Sequence, residues 1–232
     1  MDKFLELISV NKTYGKTPLL KNVTFALQQG QITTLIGQNG AGKTTIAKII
    51  LGLESFDSGK VVIKPNTKIG YVPQQLDLDY TMPMRVLDLL ETISGKKASI
   101  ESEELEFISD LDKIYKKDIS EISGGQLQKI LLMGTILSKP DLLILDEPTQ
   151  YLDVVSQQKF YSLISTLKSK YNMTIFIISH DLFTVMKNSD HVICINGHVC
   201  CSGKPAEIDN NIKFKKALSE IGLYVHQHDH TH

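Results

Sequence analysis

The chain has 232 residues, of which 42% are hydrophobic and 22% charged, and a formal net charge of -1. That is enough apolar material for a sizeable buried core, and it excludes a protein that holds nucleic acid through bulk positive charge. No apolar run approaches the roughly 20 residues that cross a bilayer as a helix, and Met1-Asp2-Lys3-Phe4-Leu5-Glu6 lacks the apolar segment of a secretory signal, so the expectation is a cytosolic chain that reaches a membrane only by docking onto something else.

Residues 4–10 and 21–27 read as strands, and the alternation of Val23, Phe25 and Leu27 marks the second as half-buried. Between them Tyr14-Gly15-Lys16-Thr17-Pro18 reads as a turn. Tyr14 is then a loop aromatic, which either packs the turn or offers a flat ring for stacking a base. Gln31-Ile32-Thr33-Thr34-Leu35-Ile36 is β-branched and apolar, as a buried strand should be.

The stretch that follows, Gly37-Gln38-Asn39-Gly40-Ala41-Gly42-Lys43-Thr44, fits the phosphate-binding pattern G-x-x-x-x-G-K-[ST]. Thr45 and the apolar face of 46–51 continue it as a helix, with Gly52 near its end. Strand, glycine loop, helix is the context this motif requires. Glycines let the backbone wrap closely around an anion, and a helix N-terminus adds positive potential there. Lys43 is placed to reach β- and γ-phosphates, and the Thr44 hydroxyl to bind Mg²⁺.

Residues 56–60 read as a turn, 61–63 and 69–72 as short strands. Pro73 ends the second, with Gln74 and Gln75 at its exit, either ligand-facing or simply solvated. From 76 to 140 strand signals thin out, and 86–93 and 100–111 show helical spacing, which reads as a mostly helical insertion. The lysines of 112–117 read as a solvated face. Ser123 is a candidate N-cap for a helix opened by Gly124-Gly125-Gln126. Two glycines at such a start also permit close approach of an anion.

Leu142-Leu143-Ile144-Leu145 has the continuous apolar character of a central parallel strand. It ends in Asp146 and Glu147, two carboxylates that stability alone explains poorly. In a phosphate-loop protein the first holds Mg²⁺, and the second is placed to orient or deprotonate water. Asp153 begins a helix running to about Lys170. Residues 174–178 form another buried strand, which exits at Ser179-His180-Asp181, so His180 shares the strand-end position of Asp146. Residues 191–201 read as a hairpin around Asn196-Gly197, and 212–221 as a terminal helix. The three cysteines, Cys194, Cys200 and Cys201, do not suggest a disulfide framework. His226, His228, His230 and His232 alternate with other residues in a tail suited to Zn²⁺ and similar ions.

Read together, the motifs resemble the ATP-binding subunits of ABC transporters, over nearly the whole chain. Gly37 to Thr44 resembles the Walker A loop, Gln74 the Q-loop glutamine, and Ser123-Gly124-Gly125-Gln126 the signature. Leu142 to Glu147 resembles the Walker B strand, Asp153 the D-loop aspartate, and His180 the switch histidine. Tyr14 resembles the adenine-stacking aromatic. Gly70-Tyr71-Val72-Pro73-Gln74, residues 198–203 and the histidine tail are similar to the zinc-uptake branch, to which manganese and iron importers are closely related. Two departures stand out. Ile122 replaces the usual Leu, and Gly134 replaces a common arginine at a cost of about 1 kcal/mol in helix propensity relative to Ala.

The resemblance implies a P-loop NTPase (RecA-like) α/β core, residues 1–75 and 140–223, with an antiparallel β subdomain. It also implies a helical subdomain over 76–139 and a flexible tail over 224–232. ATP contacts would come from Tyr14, from Gly37, Gln38, Asn39, Gly40, Ala41, Gly42, Lys43, Thr44 and Thr45, and from Ser123, Gly124, Gly125, Gln126 and Asp153. Catalysis would fall to Glu147, His180, Gln74 and Lys43, and Mg²⁺ binding to Thr44, Gln74 and Asp146. Implied partners are a second copy in a head-to-tail dimer, a membrane permease and an extracytoplasmic metal-binding protein, with the chain peripheral on the cytoplasmic face.

Overall fold

Strands whose residues are apolar at consecutive positions must be covered on both faces, and that requirement organises the molecule. The computed structural model describes residues 3–74, 83–95, 111–150 and 152–209, without the side chains of 111, 112, 182–184, 208 and 209. The expected helix over 100–111 (except its last residue), the expected helix over 212–221, Gln75 and the histidine tail lie outside the described residues.

A mixed sheet runs in the order β5 (Ile69–Val72), β6 (Leu142–Asp146), β7 (Thr174–Ser179), β3 (Ile32–Ile36), β8 (His191–Ile195), β9 (Val199–Gly203). Neighbours are parallel from β5 to β8, and β9 is antiparallel. Leu142 and Ile144 of β6, with Phe176 and Ile178 of β7, join one apolar cluster, which includes α1 (Lys43–Ile50). Leu143, Leu145, Ile175 and Ile177 join the other, which includes α2 (Val86–Ser94), α4 (Gly124–Leu137) and α5 (Val154–Tyr171). Alternate residues of each strand thus feed opposite cores.

A separate antiparallel sheet, β2 (Thr17–Gln28), β1 (Lys3–Tyr14), β4 (Ser58–Ile63), closes the first of these cores. Val23, Phe25 and Leu27 point into it, and Phe25 stacks on Phe176 with centroids 6.0 Å apart. Two expected boundaries are corrected. Tyr14 is not on a loop but ends β1, paired with Thr17, and β4 begins at Ser58, inside the expected turn. Only Gly15 and Lys16 remain to turn the β1–β2 hairpin.

Between β5 and β6 the described elements are α2, a short α3 (Leu111–Ile114), a 3-10 turn at Ile119–Glu121, and α4. Two further short helices, α6 (Leu182–Asn188) and α7 (Pro205–Asp209), flank the β8–β9 hairpin in sequence. The cysteines are free, with Cys194 facing Cys201 across that hairpin.

Gly134 has a physical reason for being in a helix interior. A Cβ built there would stand 2.9 Å from Cβ of Ile93, so the glycine lets α4 approach α2 more closely than any side chain allows. Overpacking of this kind costs about 1–3 kcal/mol, which outweighs the helix-propensity gain. Gly134→Ala is therefore expected to destabilise the chain, by roughly 1 kcal/mol net, in equilibrium urea unfolding. A rise in the midpoint would mean that the two helices part without penalty.

Candidate functional site

Parallel register puts the carboxyl ends of four strands on one edge. Val72 pairs with Leu145, Asp146 with Ile178, and Ile36 with Ser179. One residue or two beyond these pairs lie Gln74, Glu147, His180 and the loop 37–44. That edge of an open α/β sheet is where ligands bind.

The loop is built by close approach. A Cβ on Gly37 would stand 2.3 Å from the Ile195 carbonyl oxygen, so only glycine passes β8 here. Gly40 and Gly42 take φ of 81° and 94°, values that glycine adopts without strain. Gly42 is the N-cap of α1, and the first backbone bond, Ile46 N–H to Gly42 O, spans 2.9 Å. The N–H groups of Lys43, Thr44 and Thr45 precede that bond, so they project from the helix start toward an anion. Lys43 is buried, and its ammonium donates to the carbonyls of Gly37 at 2.8 Å and Gln38 at 3.1 Å. Burial lowers its pKa, while the charges of Glu147 and Asp146 pull the other way.

Asp146 has no solvent exposure, and neither carboxylate oxygen has a hydrogen-bond partner of normal geometry. Burial raises its pKa, and the Glu147 charge adds to the rise; the nearby Thr44 hydroxyl, Lys43 and Tyr71 partly oppose it. Tyr71 is pushed up to about 12, first by burial and then by Asp146. Two orphaned oxygens beside a threonine hydroxyl are a donor set that a hard divalent cation such as Mg²⁺ completes.

Glu147 adopts φ of 49°, a left-handed conformation rare outside glycine. Its N–H donates to Ile178 O at 2.9 Å, which fixes the strained turn to β7. The turn brings its side chain to His180, whose Nδ1–H donates to Oε2 of Glu147 across 2.7 Å. Glu147 is nearly buried, while His180 is more than half exposed, so the pair joins the protein interior to the open edge. Gln74 Nε2 donates to Gln150 Oε1 at 3.0 Å.

The hydrogen bonds of the other expected site residues are local to their own elements. Ser123 caps α4 by accepting from Gln126 N–H at 3.2 Å, and Gln126 Oε1 accepts from Ser123 N–H at 2.9 Å, a reciprocal capping box. Both side chains are engaged within the chain, while Gly124 faces open space. Asp153 likewise caps α5 through Ser156, whose N–H and hydroxyl it accepts at 2.9 and 2.8 Å. Tyr14 is half exposed at the end of β1. Sequence reasoning missed Tyr71 beside Asp146, Gln150 beside Gln74, and the β8–β9 turn, where Gly197 N–H donates to Ala41 O at 3.3 Å. Tyr71 alone carried a signal, since it lies in a strand aimed at the ligand edge.

Residues 20–150 match the family described as ABC transporter. Zinc import ATP-binding protein ZnuC of Rickettsia bellii is 50% identical over 228 residues, covering 98% of both chains. The protein of that name from Rickettsia prowazekii is 52% identical over 229 residues, again covering 98% of each, and that from Pseudomonas syringae 40% over 235, covering 100% of this chain and 89% of its own. Among solved structures, a metal-chelate type ABC transporter in an inward-facing conformation superposes with TM-score 0.77 at 26% identity, covering 94% of this chain and 90% of its own. A dimeric bacterial ABC transporter cassette gives 0.74 at 25%, covering 87% and 98%.

A carboxylate whose folded pKa is raised keeps a proton that the unfolded chain has already released. Its contribution to stability therefore falls as pH rises from the unfolded value, about 3.9, to the folded one, and stays down above it. Asp146→Asn removes that loss. In metal-free buffer it is expected to raise unfolding stability at pH 7 by about 1–2 kcal/mol, with the difference from wild type shrinking toward pH 4. Equal stability at both pH values would show that the buried charge costs nothing.

Proposed function

This chain belongs to the ABC transporter family as an ATP-binding, ATP-hydrolysing subunit, and on that premise we propose that it powers uptake of zinc through a separate membrane permease. One observation carries the chemical reading: an orphaned buried carboxylate, a buried ammonium and a Glu–His pair converge on the edge where the glycine loop opens. The naming of relatives 50% and 52% identical over 98% of both lengths as zinc import ATP-binding proteins supports the cargo.

In this reading, Lys43 exchanges the Gly37 and Gln38 carbonyls for β- and γ-phosphate oxygens. Gly37, Gln38, Asn39, Gly40, Ala41, Gly42, Thr44 and Thr45 cradle the triphosphate with backbone N–H groups. Thr44, Asp146 and Gln74 would hold Mg²⁺, which when bound neutralises charge on the β- and γ-phosphates. Glu147 accepts a proton from the attacking water. His180, fixed by Glu147, faces the γ-phosphate. The water oxygen bonds to the γ-phosphorus as the bridging oxygen leaves with ADP.

A second copy completes the site. Ser123 and Gly124 are exposed, and no hydrogen bond among the described residues ties them to the loop 37–44. A helix N-terminus built of glycine and open to solvent suits a triphosphate held by the other protomer. Ser123, Gly124, Gly125, Gln126 and Asp153 are then contributed across a head-to-tail dimer, with Tyr14 stacking the base. ATP binding closes the dimer, and hydrolysis removes the bridging charge. Residues 76–139 pass that motion to the permease, while 1–75 and 140–223 hold nucleotide. No helix among the described residues is long and apolar enough to cross a membrane. The proposed place is peripheral, on the cytoplasmic face, beside the permease. An extracytoplasmic metal-binding protein would deliver the cargo. His226, His228, His230 and His232 would bind Zn²⁺ and regulate transport.

Glu147→Gln is expected to keep ATP binding and to lower turnover by about 100-fold or more, accumulating an ATP-bound dimer on size exclusion; wild-type turnover would remove Glu147 from its role. For cargo, cells lacking their own zinc importer and grown under chelation should regain growth with zinc when this chain and its cognate permease are supplied. Rescue by manganese or iron instead would reassign the metal. Deleting residues after Tyr224 should lower Zn²⁺ binding in calorimetry while leaving ATP hydrolysis intact, and equal zinc uptake by both forms would end the tail's role.

A further inference from the structure

Lys12 and Tyr14 lie two residues apart near the end of β1, where the pairing with β2 is irregular. The Lys12 side chain, on the central strand of the small sheet, is 8% exposed, unusual for a lysine, whose stem ordinarily carries the charge out to water. Here the ammonium turns inward. It donates to Glu54 Oε1 at 2.6 Å and to Ser55 Oγ at 3.3 Å, and stands 4.8 Å from the centroid of the Tyr14 ring. Tyr14 itself is 48% exposed. The cation thus stands over one face of a ring that remains about half exposed.

Glu54 comes from the far end of the phosphate-loop helix. Its N–H donates to the Lys48 carbonyl at 3.2 Å, and Leu53 N–H donates to the same carbonyl at 2.8 Å. The carboxylate is held below its usual pKa, first by the Lys12 hydrogen bond and then by the Tyr14 hydroxyl. A continuous path therefore runs from the phosphate loop through α1 to Glu54, Lys12 and the aromatic ring.

We propose that Lys12 and Glu54 are positioning residues for the nucleotide base: they hold Tyr14 so that its ring stacks on the purine at a set distance from the phosphate loop. The proposal rests on the proposed reading of residues 37–44 as the triphosphate grip and of Tyr14 as the base-stacking ring. Its physical content is preorganisation. A ring fixed before binding loses little rotamer freedom when the base arrives, and the cation beneath it adds an interaction that a mobile ring would lack.

The test uses the full chain and two ligands. ATP carries a base, whereas inorganic tripolyphosphate with magnesium carries only the phosphates. Lys12→Met keeps the stem and removes the charge. It is expected to raise the KM for ATP about three- to tenfold, with kcat retained at saturating ATP and the inhibition constant of tripolyphosphate unchanged. Glu54→Gln should move the same way, Tyr14→Ala should match or exceed it, and Lys12→Arg should restore the wild-type KM. Parallel loss of ATP and tripolyphosphate affinity in Lys12→Met would overturn the proposal, because the network would then serve the fold and not the base. An unchanged KM in both Lys12→Met and Glu54→Gln would overturn it equally. A wild-type chain that binds neither ligand would instead overturn the triphosphate reading on which the proposal stands.

Discussion

The candidate site depends on one carboxylate that the fold holds out of water at a cost. Asp146 is fully buried with both oxygens unpartnered, and its neighbour in charge, Lys43, has left solvent to bond two loop carbonyls. Neither group gains from its place in the protein taken alone, since each is desolvated. What keeps them there is the sheet. β6 cannot move Asp146 toward water without withdrawing Leu142, Leu143, Ile144 and Leu145, all fully buried, from two cores at once. The apolar burial on both faces holds a polar constellation whose electrostatic reward comes only with a ligand.

The same logic explains where the backbone is strained. Glu147 sits at a positive φ, pinned by its bond to Ile178 O, so a residue just past a rigid strand is re-aimed toward His180. Gly37 shows the counterpart, since its missing side chain lets the loop lie against the Ile195 carbonyl. Rigid strands set the positions, and one or two irregular residues at each end set the directions.

Much of this was legible in the sequence, for a definite reason. The loop 37–44, the strand before it and the helix after it are local, so composition and spacing suffice. Leu142 to Leu145 and residues 174–178 are apolar at every position because both faces are covered, and Ser123 is recognisable as a cap because its partner Gln126 is three residues away. What was not legible depends on partners distant in the chain. Tyr14 looks like a turn residue until Thr17 is found across from it. Gly134 looks like a defect until Ile93 is found against it, and nothing in the local sequence announces that Gln150 faces Gln74 or that Gly197 supports Ala41. Within the chain Ser123 and Gln126 satisfy one another, so nothing in their local bonding marks the signature as a ligand site.

That mutual satisfaction bears on how the proposed dimer would close. A serine already accepting its own helix's N–H needs no rescue in the monomer, so the open form carries no buried orphan at the signature, and ATP must offer something beyond filling a vacant bond. The helix start offers that in its exposed backbone N–H groups and its partial positive charge, which only an anion uses. In the proposed dimer the open form therefore carries no penalty for leaving the signature in water, and the gain on closing would depend on the triphosphate. Dependence of this kind turns a nucleotide into a switch, since a surface already sticky without ligand would close regardless and transmit nothing.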